Sequence, residues 1–297
     1  MKTPKIGFIG LGLMGGWLVK HLLAANYTVH AFDLDPEKIA AVAAHGAIPV
    51  SELRDLPVLV DVIILSLPNS KIVRQVVQTD LNLFAQPKKD LIILDSSTSD
   101  PELSIELAQE LASRRIHFLD ASISGTSEMC AIKDTIFMVG GQESIYEQCC
   151  PIFAAMARES VYMGSSGTGA AIKLVVNLVL SINRMGMAEG LTLAKKAGID
   201  QLKALEVLKK SAAFSKAMDQ KGYRMVNRDF YPPIGHLTTH YKDVQLMVSY
   251  AASLHCPVPL ISLNAQALAS ELSKGAGDRD SSAVICFYDG LIAKTQS

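Results

Sequence analysis

The sequence predicts an α/β fold in two parts: a parallel sheet covered by helices on both faces, then an all-helical half, with one long helix at the join. Three observations carry this expectation. A glycine-rich turn lies between a strand pattern and a helix pattern at the start of the chain. Apolar runs of strand length then alternate with helical stretches as far as residue 163. Beyond that point strand signals stop and only helical patterns follow.

Lys5-Ile6-Gly7-Phe8-Ile9 reads as a short apolar strand that enters Gly10-Leu11-Gly12-Leu13-Met14-Gly15 and then a helix to about Ala25. A second strand at 28–32 ends in Asp33, 18 residues beyond Gly15. A GxGxxG string alone is weak evidence. A strand before it, a helix after it and an acid at the end of the next strand make it a dinucleotide-binding turn. Gly10 is expected to make the tight turn, Gly12 to let the backbone approach a pyrophosphate, and Gly15 to let the helix pack on the strand, with the helix N-terminus facing the phosphates. Asp33 can accept hydrogen bonds from both ribose hydroxyls and would repel a 2′-phosphate. Leu34, Asp35, Pro36 and Glu37 follow it, acidic where a phosphate would need cations, with no arginine beside it. NAD is therefore expected over NADP.

Continuous apolar runs at 62–67, 91–95, 117–121, 136–139 and 161–163 suit strands of a parallel sheet buried on both faces. Polar clusters at 66–69, 95–98 and 122–126 fall at the C-terminal ends of such strands, where open α/β sheets bind their ligands. Helices are expected near 200–212, 215–227, 237–254 and 258–274. The change of pattern divides the chain into a Rossmann-like NAD(P)-binding domain over 1–163 and an all-α C-terminal domain over 164–297.

That second domain opens with the long interdomain helix. From 168 to about 196 there is no proline, so roughly eight turns are expected. Lys173, Asn177, Asn183, Arg184 and Glu189 interrupt its apolar composition, which argues against a membrane span and for a helix packed within a soluble protein. Lys173 and Asn177, four residues apart, share a face. A core helix with a snorkelling lysine would look the same.

Composition narrows the partners. In 297 residues the formal net charge is -1, which offers no basic field to nucleic acid or anionic lipid, so a small-molecule protein without a nucleic-acid or membrane partner is expected. Five cysteines (130, 149, 150, 256 and 286) lack CxxC spacing and suggest neither a disulfide framework nor a zinc site, and no metal is expected. A cytoplasmic location fits that cysteine usage. His236, His240 and His255 read as surface or packing residues, and Met185, Met187, Met218, Met225 and Met247 as core filler.

GFIGLGLMGG at 7–16, LPNS at 67–70, LDSST at 94–98, DASISG at 120–125, GSSGTGAAIKLVVN at 164–177, HYKD at 240–243 and GAGDRDSSA at 275–283 together resemble the β-hydroxyacid dehydrogenases over nearly the whole chain. The resemblance implies an active site in a cleft between the two domains and assembly as a homodimer or homotetramer. It implies Lys173 as the catalytic acid/base, with Ser124, Gly125, Thr126, Asn177 and Lys242 binding a small carboxylate substrate. Leu67, Pro68, Asn69, Thr98 and Lys242 would join Gly10, Leu11, Gly12, Leu13, Met14, Gly15 and Asp33 at the cofactor. The implied activity is NAD-dependent oxidation of a small β-hydroxy acid such as 3-hydroxyisobutyrate, or reduction of a semialdehyde such as that of tartronate or succinate. A non-catalytic dinucleotide-binding module is the alternative. The chemistry agrees with the first: a free lysine, of pKa about 10.4, is mostly the wrong form for a base at neutral pH. Burial and a place near a helix's positive end would both lower that value. Ser122, Thr126 and Val176 depart from the family pattern, and the segment 120–135 is about one residue longer. These departures bear on which substrate is bound.

Overall fold

The computed structural model describes residues 3–293. It divides into two compact units, residues 1–173 and 174–297. In the first, strands β1 (Ile6–Ile9), β2 (Val29–Phe32), β3 (Ile48–Pro49), β4 (Val62–Leu65), β5 (Ile92–Asp95), β6 (His117–Ser124), β7 (Ile136–Gly140) and β8 (Glu159–Gly164) form one sheet in the order β3-β2-β1-β4-β5-β6-β7-β8. Between them lie helices α1 (Gly15–Ala24), α2 (Pro36–Ala43), α3 (Leu56–Leu59), α4 (Ser70–Gln75), α5 (Pro101–Ala112), α6 (Ser127–Ala131) and α7 (Glu143–Met156).

Why the central strands are apolar throughout is visible in β4. Its successive side chains point to opposite faces. Val62 and Ile64 enter a core with Phe8, Leu18, Leu22 and Phe153, from α1 and α7 among others. Ile63 and Leu65 enter a separate core with Leu56, Val77, Leu107 and Leu111 on the other face. Each such side chain contributes about 1.5–3 kcal/mol by leaving water, so neither face tolerates a polar alternation.

The strands from β3 to β6 run parallel, and so do β7 and β8 with each other, but β6 and β7 are antiparallel. The expectation of a wholly parallel sheet is corrected there. A parallel crossover needs a dozen or more residues, and the stretch 125–135 is shorter and spends part of its length on α6. Apolar runs signal burial on two faces and carry no information about direction. The register pairs Ile9 with Phe32 and Leu65, Leu65 with Asp95, and Asp95 with Asp120. These residues lie level along one edge, and β6 extends four residues beyond it.

The long helix α8 (Thr168–Lys196) has the expected bounds, and the division between the units falls inside it, after Lys173. By length and composition alone it could cross a membrane, with a mean hydropathy of 1.3 over its most apolar window. The second unit adds α9 (Gln201–Lys210), α10 (Lys216–Asn227), α11 (Leu237–Ser253), α12 (Pro259–Ser273) and α13 (Ile285–Ala293). Met185, Met187, Met218, Met225 and Met247 are all buried in its core with Leu174, Leu191 and Leu205, as filler should be. That core also holds an ion pair. Lys221, on α10, donates to both Asp280 oxygens at 2.9 and 2.7 Å, and both residues are almost wholly buried.

Candidate active site

At the C-terminal end of β1 the chain turns under tight steric control. Gly10 has φ +96°, and a Cβ there would lie 2.2 Å from the Ser66 carbonyl oxygen. A Cβ at Gly15 would lie 2.0 Å from the Gly10 carbonyl oxygen, so glycine at 15 lets α1 sit this close to β1, and glycine at 10 lets the turn pass the loop after β4. Gly12 differs: a Cβ there would meet nothing within 4 Å, and Gly12 and Leu13 are exposed. The space before Gly12 is thus not required by the protein's own packing. Helix α1 also opens without a side-chain cap and without an acidic residue in its first turn. The same is true of α11 and α12, whereas α2, α4, α5 and α9 are capped by Asp35, Asn69, Asp100 and Asp200. The Gly16 and Trp17 amides bond the Gly12 and Met14 carbonyls at 3.2 and 3.0 Å, and the open glycine turn ahead of this helix N-terminus suits the anionic pyrophosphate of a dinucleotide.

Asp33 stands at the end of β2, beside this turn. Its Oδ2 accepts the Leu11 N–H at 2.6 Å and its Oδ1 accepts the Asp35 N–H at 2.9 Å, so the carboxylate is already oriented and helps to hold the turn. Lys38 Nζ lies 3.8 Å from Asp33 and 3.6 Å from Asp35. The acidic reading of residues 33–37 leaves this cation out, because it follows them directly in the first turn of α2.

Two further loops at the same edge are built from serines and acids. Leu67 donates its N–H to Ser97 Oγ at 2.9 Å. Ser97 N–H donates to Asp95 Oδ1 at 3.0 Å, and Ser99 Oγ to Asp95 Oδ2 at 2.7 Å. Pro68 is exposed and Thr98 half-buried. Asn69 Oδ1 accepts the Ile72 N–H at 3.0 Å, which gives that side chain a capping role in addition to any contact with a cofactor. On β6, Ser124 ends the strand, and Gly125 follows with φ +146°, where a Cβ would lie 2.6 Å from Thr135 Cγ2. The Thr126 hydroxyl oxygen accepts the Met129 N–H at 3.3 Å and so caps α6.

Asp120, which sequence reasoning passed over, is 1% exposed on β6 and accepts the N–H groups of Gly167 and Ala170 at 2.8 Å each. These are the amides just before and within the first turn of α8, the helix that carries Lys173. Burial pushes the Asp120 carboxyl up to about 6, against the two amide bonds that favour its ionised form, and neighbouring Asp95 pushes the same way. Burial also raises Asp95, against the pull of Ser97 and Ser99. One signal could have singled out both acids: each follows directly on an apolar run, Ile92-Ile93-Leu94 before Asp95 and Phe118-Leu119 before Asp120.

Lys173 and Asn177 are half-buried. In the helical unit, Ser181 Oγ donates to the Asn177 carbonyl at 2.7 Å and lies 3.4 Å from His240 Nε2, which ties α8 to α11. His240 is held well below its usual range by burial, with Arg184 and Lys221 adding to the effect and Asp280 opposing it. It is a neutral packing residue at physiological pH, as the sequence suggests. Lys242, one residue before Asp243 on α11, pairs with it at 3.1 Å. Asp278, which the sequence leaves without a role, accepts the Tyr231 hydroxyl at 2.9 Å.

A glycine turn with open space before it, an uncapped helix N-terminus and an oriented carboxylate on the next strand define an NAD(P)-binding domain of the Rossmann type. Residues 5–164 match the family described as the NAD binding domain of 6-phosphogluconate dehydrogenase. Residues 167–288 match the family described as NAD-binding of NADP-dependent 3-hydroxyisobutyrate dehydrogenase. The chain belongs to the β-hydroxyacid dehydrogenase family, whose members are NAD(P)-dependent dehydrogenases acting on hydroxyl groups. Among relatives, 2-(hydroxymethyl)glutarate dehydrogenase of Eubacterium barkeri is 31% identical over 98% of this chain and 96% of its own. The Xenopus tropicalis cytokine-like nuclear factor N-PAC is 30% identical over 96% of this chain, which spans 53% of that protein. In structure the chain is similar to the 3-hydroxyisobutyrate dehydrogenase of Mycobacterium tuberculosis solved with L-serine. The TM-score is 0.86, with 28% identity over 96% of this chain and 98% of that one.

Proposed function

We propose that this chain oxidises a small β-hydroxy acid, or reduces its semialdehyde, with NAD as the hydride carrier and Lys173 as general acid/base. The observation that supports this most is the lysine's place one turn beyond amides that a buried carboxylate holds fixed. Gly10, Leu11, Gly12, Leu13, Met14 and Gly15 would hold the pyrophosphate and Asp33 the ribose, with Leu67, Pro68, Asn69 and Thr98 lining the rest. NAD supplies the hydride acceptor. Lys173 takes the hydroxyl proton in oxidation and returns it in reduction. The backbone around Ser124, Gly125 and Thr126 offers donors to the substrate carboxylate, and Asn177 and Lys242 help to hold the substrate.

A 3-hydroxyisobutyrate-like acid is the first candidate, with tartronate or succinic semialdehyde as alternatives. Exposed Val175, Val179 and Leu193 on α8 support association of copies into a homodimer or homotetramer. On this reading the enzyme works in the cytoplasm on small molecules, which the cysteine usage and the formal net charge of -1 support. The second reading is a dinucleotide-binding module without turnover, favoured by relatives named as nuclear factors that match over this same length.

The test is a panel of 3-hydroxyisobutyrate, 2-(hydroxymethyl)glutarate, L-serine and the two semialdehydes, read by NADH absorbance. Turnover of one of them is expected, a hydroxy acid with NAD or a semialdehyde with NADH, and none with any member would favour the binding module. Cofactor choice is read in the same assay. Asp33 should make kcat/KM with NAD at least about tenfold higher than with NADP, roughly 1.4 kcal/mol, which one repelled phosphate can supply. Equal values would show that Lys38 neutralises the repulsion and that the NAD assignment is wrong.

A further inference from the structure

Asp95 and Asp120 face each other across neighbouring strands, and both are 1% exposed. Each reaches a different part of the proposed site. Asp95 orients Ser97, which holds the Leu67 amide of the loop after β4. Asp120 holds the amides of Gly167 and Ala170 at the start of α8. Ser122 Oγ closes the link between the two strands by donating to the Ser97 carbonyl at 3.3 Å.

The bond pattern at α8 is unusual in its source. The residue before the helix, Gly167, has no side chain, and the helix begins at Thr168. In a local capping box, two side chains satisfy the cap amide and the third helical amide reciprocally. Here one carboxylate, 47 and 50 residues away in sequence, satisfies both. The close approach depends on two glycines. A Cβ at Gly169 would lie 2.3 Å from the Asp120 carbonyl oxygen, and one at Gly140 would lie 2.8 Å from Asp120 Oδ1. Helical side chains lean toward the N-terminus, so Lys173 lies over the turn containing Gly169 and Ala170. Whatever fixes that turn fixes the origin of the lysine.

We infer that Asp120 is a positioning residue for Lys173, and that the Asp95–Asp120 pair uses the fixed spacing of two adjacent strands to set the lysine's helix against the Leu67 loop. This rests on the acid/base reading of Lys173. A carboxylate that served only to stabilise the fold would affect every function of the protein alike. One that acts through the lysine lowers turnover only while the lysine is there.

The experiment is a double-mutant cycle with NAD and an active substrate from the panel. Asp120→Asn keeps the shape but replaces one acceptor by a donor that faces an amide. It should lower kcat about 10- to 100-fold, and leave the Kd for NAD within about threefold. In the Lys173→Ala background the same change should lower the residual rate by less than about threefold. Asp120→Glu, which keeps the charge but moves it by one methylene, should rescue little. Ser97→Ala, on the other arm, should raise the KM for NAD by roughly fivefold with kcat nearly unchanged. Equal loss from Asp120→Asn in both backgrounds, or no loss beside an intact lysine, would overturn the inference. Hydrogen exchange on the unaltered protein checks it without any variant: the Gly167 and Ala170 amides should be as protected as those of β6, and free exchange would also overturn it. Should Lys173→Ala itself leave turnover intact, the acid/base reading fails instead.

Discussion

Lys173→Ala should lower kcat by roughly 10²–10⁴, the usual contribution of a positioned general acid/base, with little change in NAD affinity. The two effects separate because the residues proposed to hold the dinucleotide are elsewhere: the glycine turn after β1 and Asp33 at the end of β2 are fixed by contacts that do not involve the lysine. Lys173→Arg should restore little of the rate. Arginine keeps the charge but cannot give up a proton near neutral pH, so an electrostatic lysine would accept the exchange and a proton-transferring one would not. Steady-state rates with an active substrate, together with NAD titrations, check this. Near-normal turnover in both variants would make Lys173 a packing residue.

The largest expected loss of stability lies in the helical unit. Asp280 is fully buried and collects five donors besides the second Lys221 bond: Lys221 Nζ, the Ser282 amide and hydroxyl, and the Ile234 and Gly235 amides. Lys221→Met removes the ammonium and leaves the carboxylate in the core with only neutral donors. Breaking a buried pair from one side costs about 3–5 kcal/mol, and the denaturant transition of the helical unit should move accordingly. Replacing both partners by apolar residues should recover only part of this, because the Ile234, Gly235 and Ser282 donors would then be orphaned. The pair also predicts an acid dependence. Burial alone would raise Asp280, but the Lys221 bond and charge and the Ser282 donors outweigh it and hold the carboxyl at about 2, against an ordinary 3.8. A folded value below the unfolded one means stability that is fully present above about pH 4 and lost as pH falls through 2, about 2 kcal/mol in all. Lys221→Met should flatten that dependence, and an unchanged acid limb in unfolding curves would show that the lysine does not set it.

What the sequence shows of this protein follows the range of the interactions concerned. The glycine turn, the strand before it and Asp33 lie within a few tens of residues, and glycine's lack of a side chain makes the steric demand readable in one dimension. The bounds of α8 are readable for the same reason, since helix formation depends on neighbours along the chain. The reversal at β7 is not, because Ile136 to Val139 would be as apolar in either direction; only the short connection from Gly125 to Thr135 hints at it. Lys38 escapes a reading that stops at Glu37, since the helical turn brings it back over Asp33. Asp120 escapes because its partners are at the far end of three strands. For Ser124, Gly125 and Thr126 the fold shows the reason for the glycine and a cap for the threonine. Ser122, a departure from the family pattern, proves to be a buried link to the loop after β5.

The remote cap on α8 also bears on the order in which the chain folds. A helix whose own N-cap side chain bonds its first turn can nucleate as soon as that turn has been synthesised. Gly167 offers no such bond, and its substitute sits on β6, so the first turn of α8 gains its anchor only after β6 has joined the sheet and the chain has returned through β7 and β8. Closing so long a loop is slow beside helix growth. The rest of the helix can flicker into place early, but the turn under Lys173 has to wait for the sheet, and the proposed catalytic group is set only in a molecule whose dinucleotide-binding half is already built.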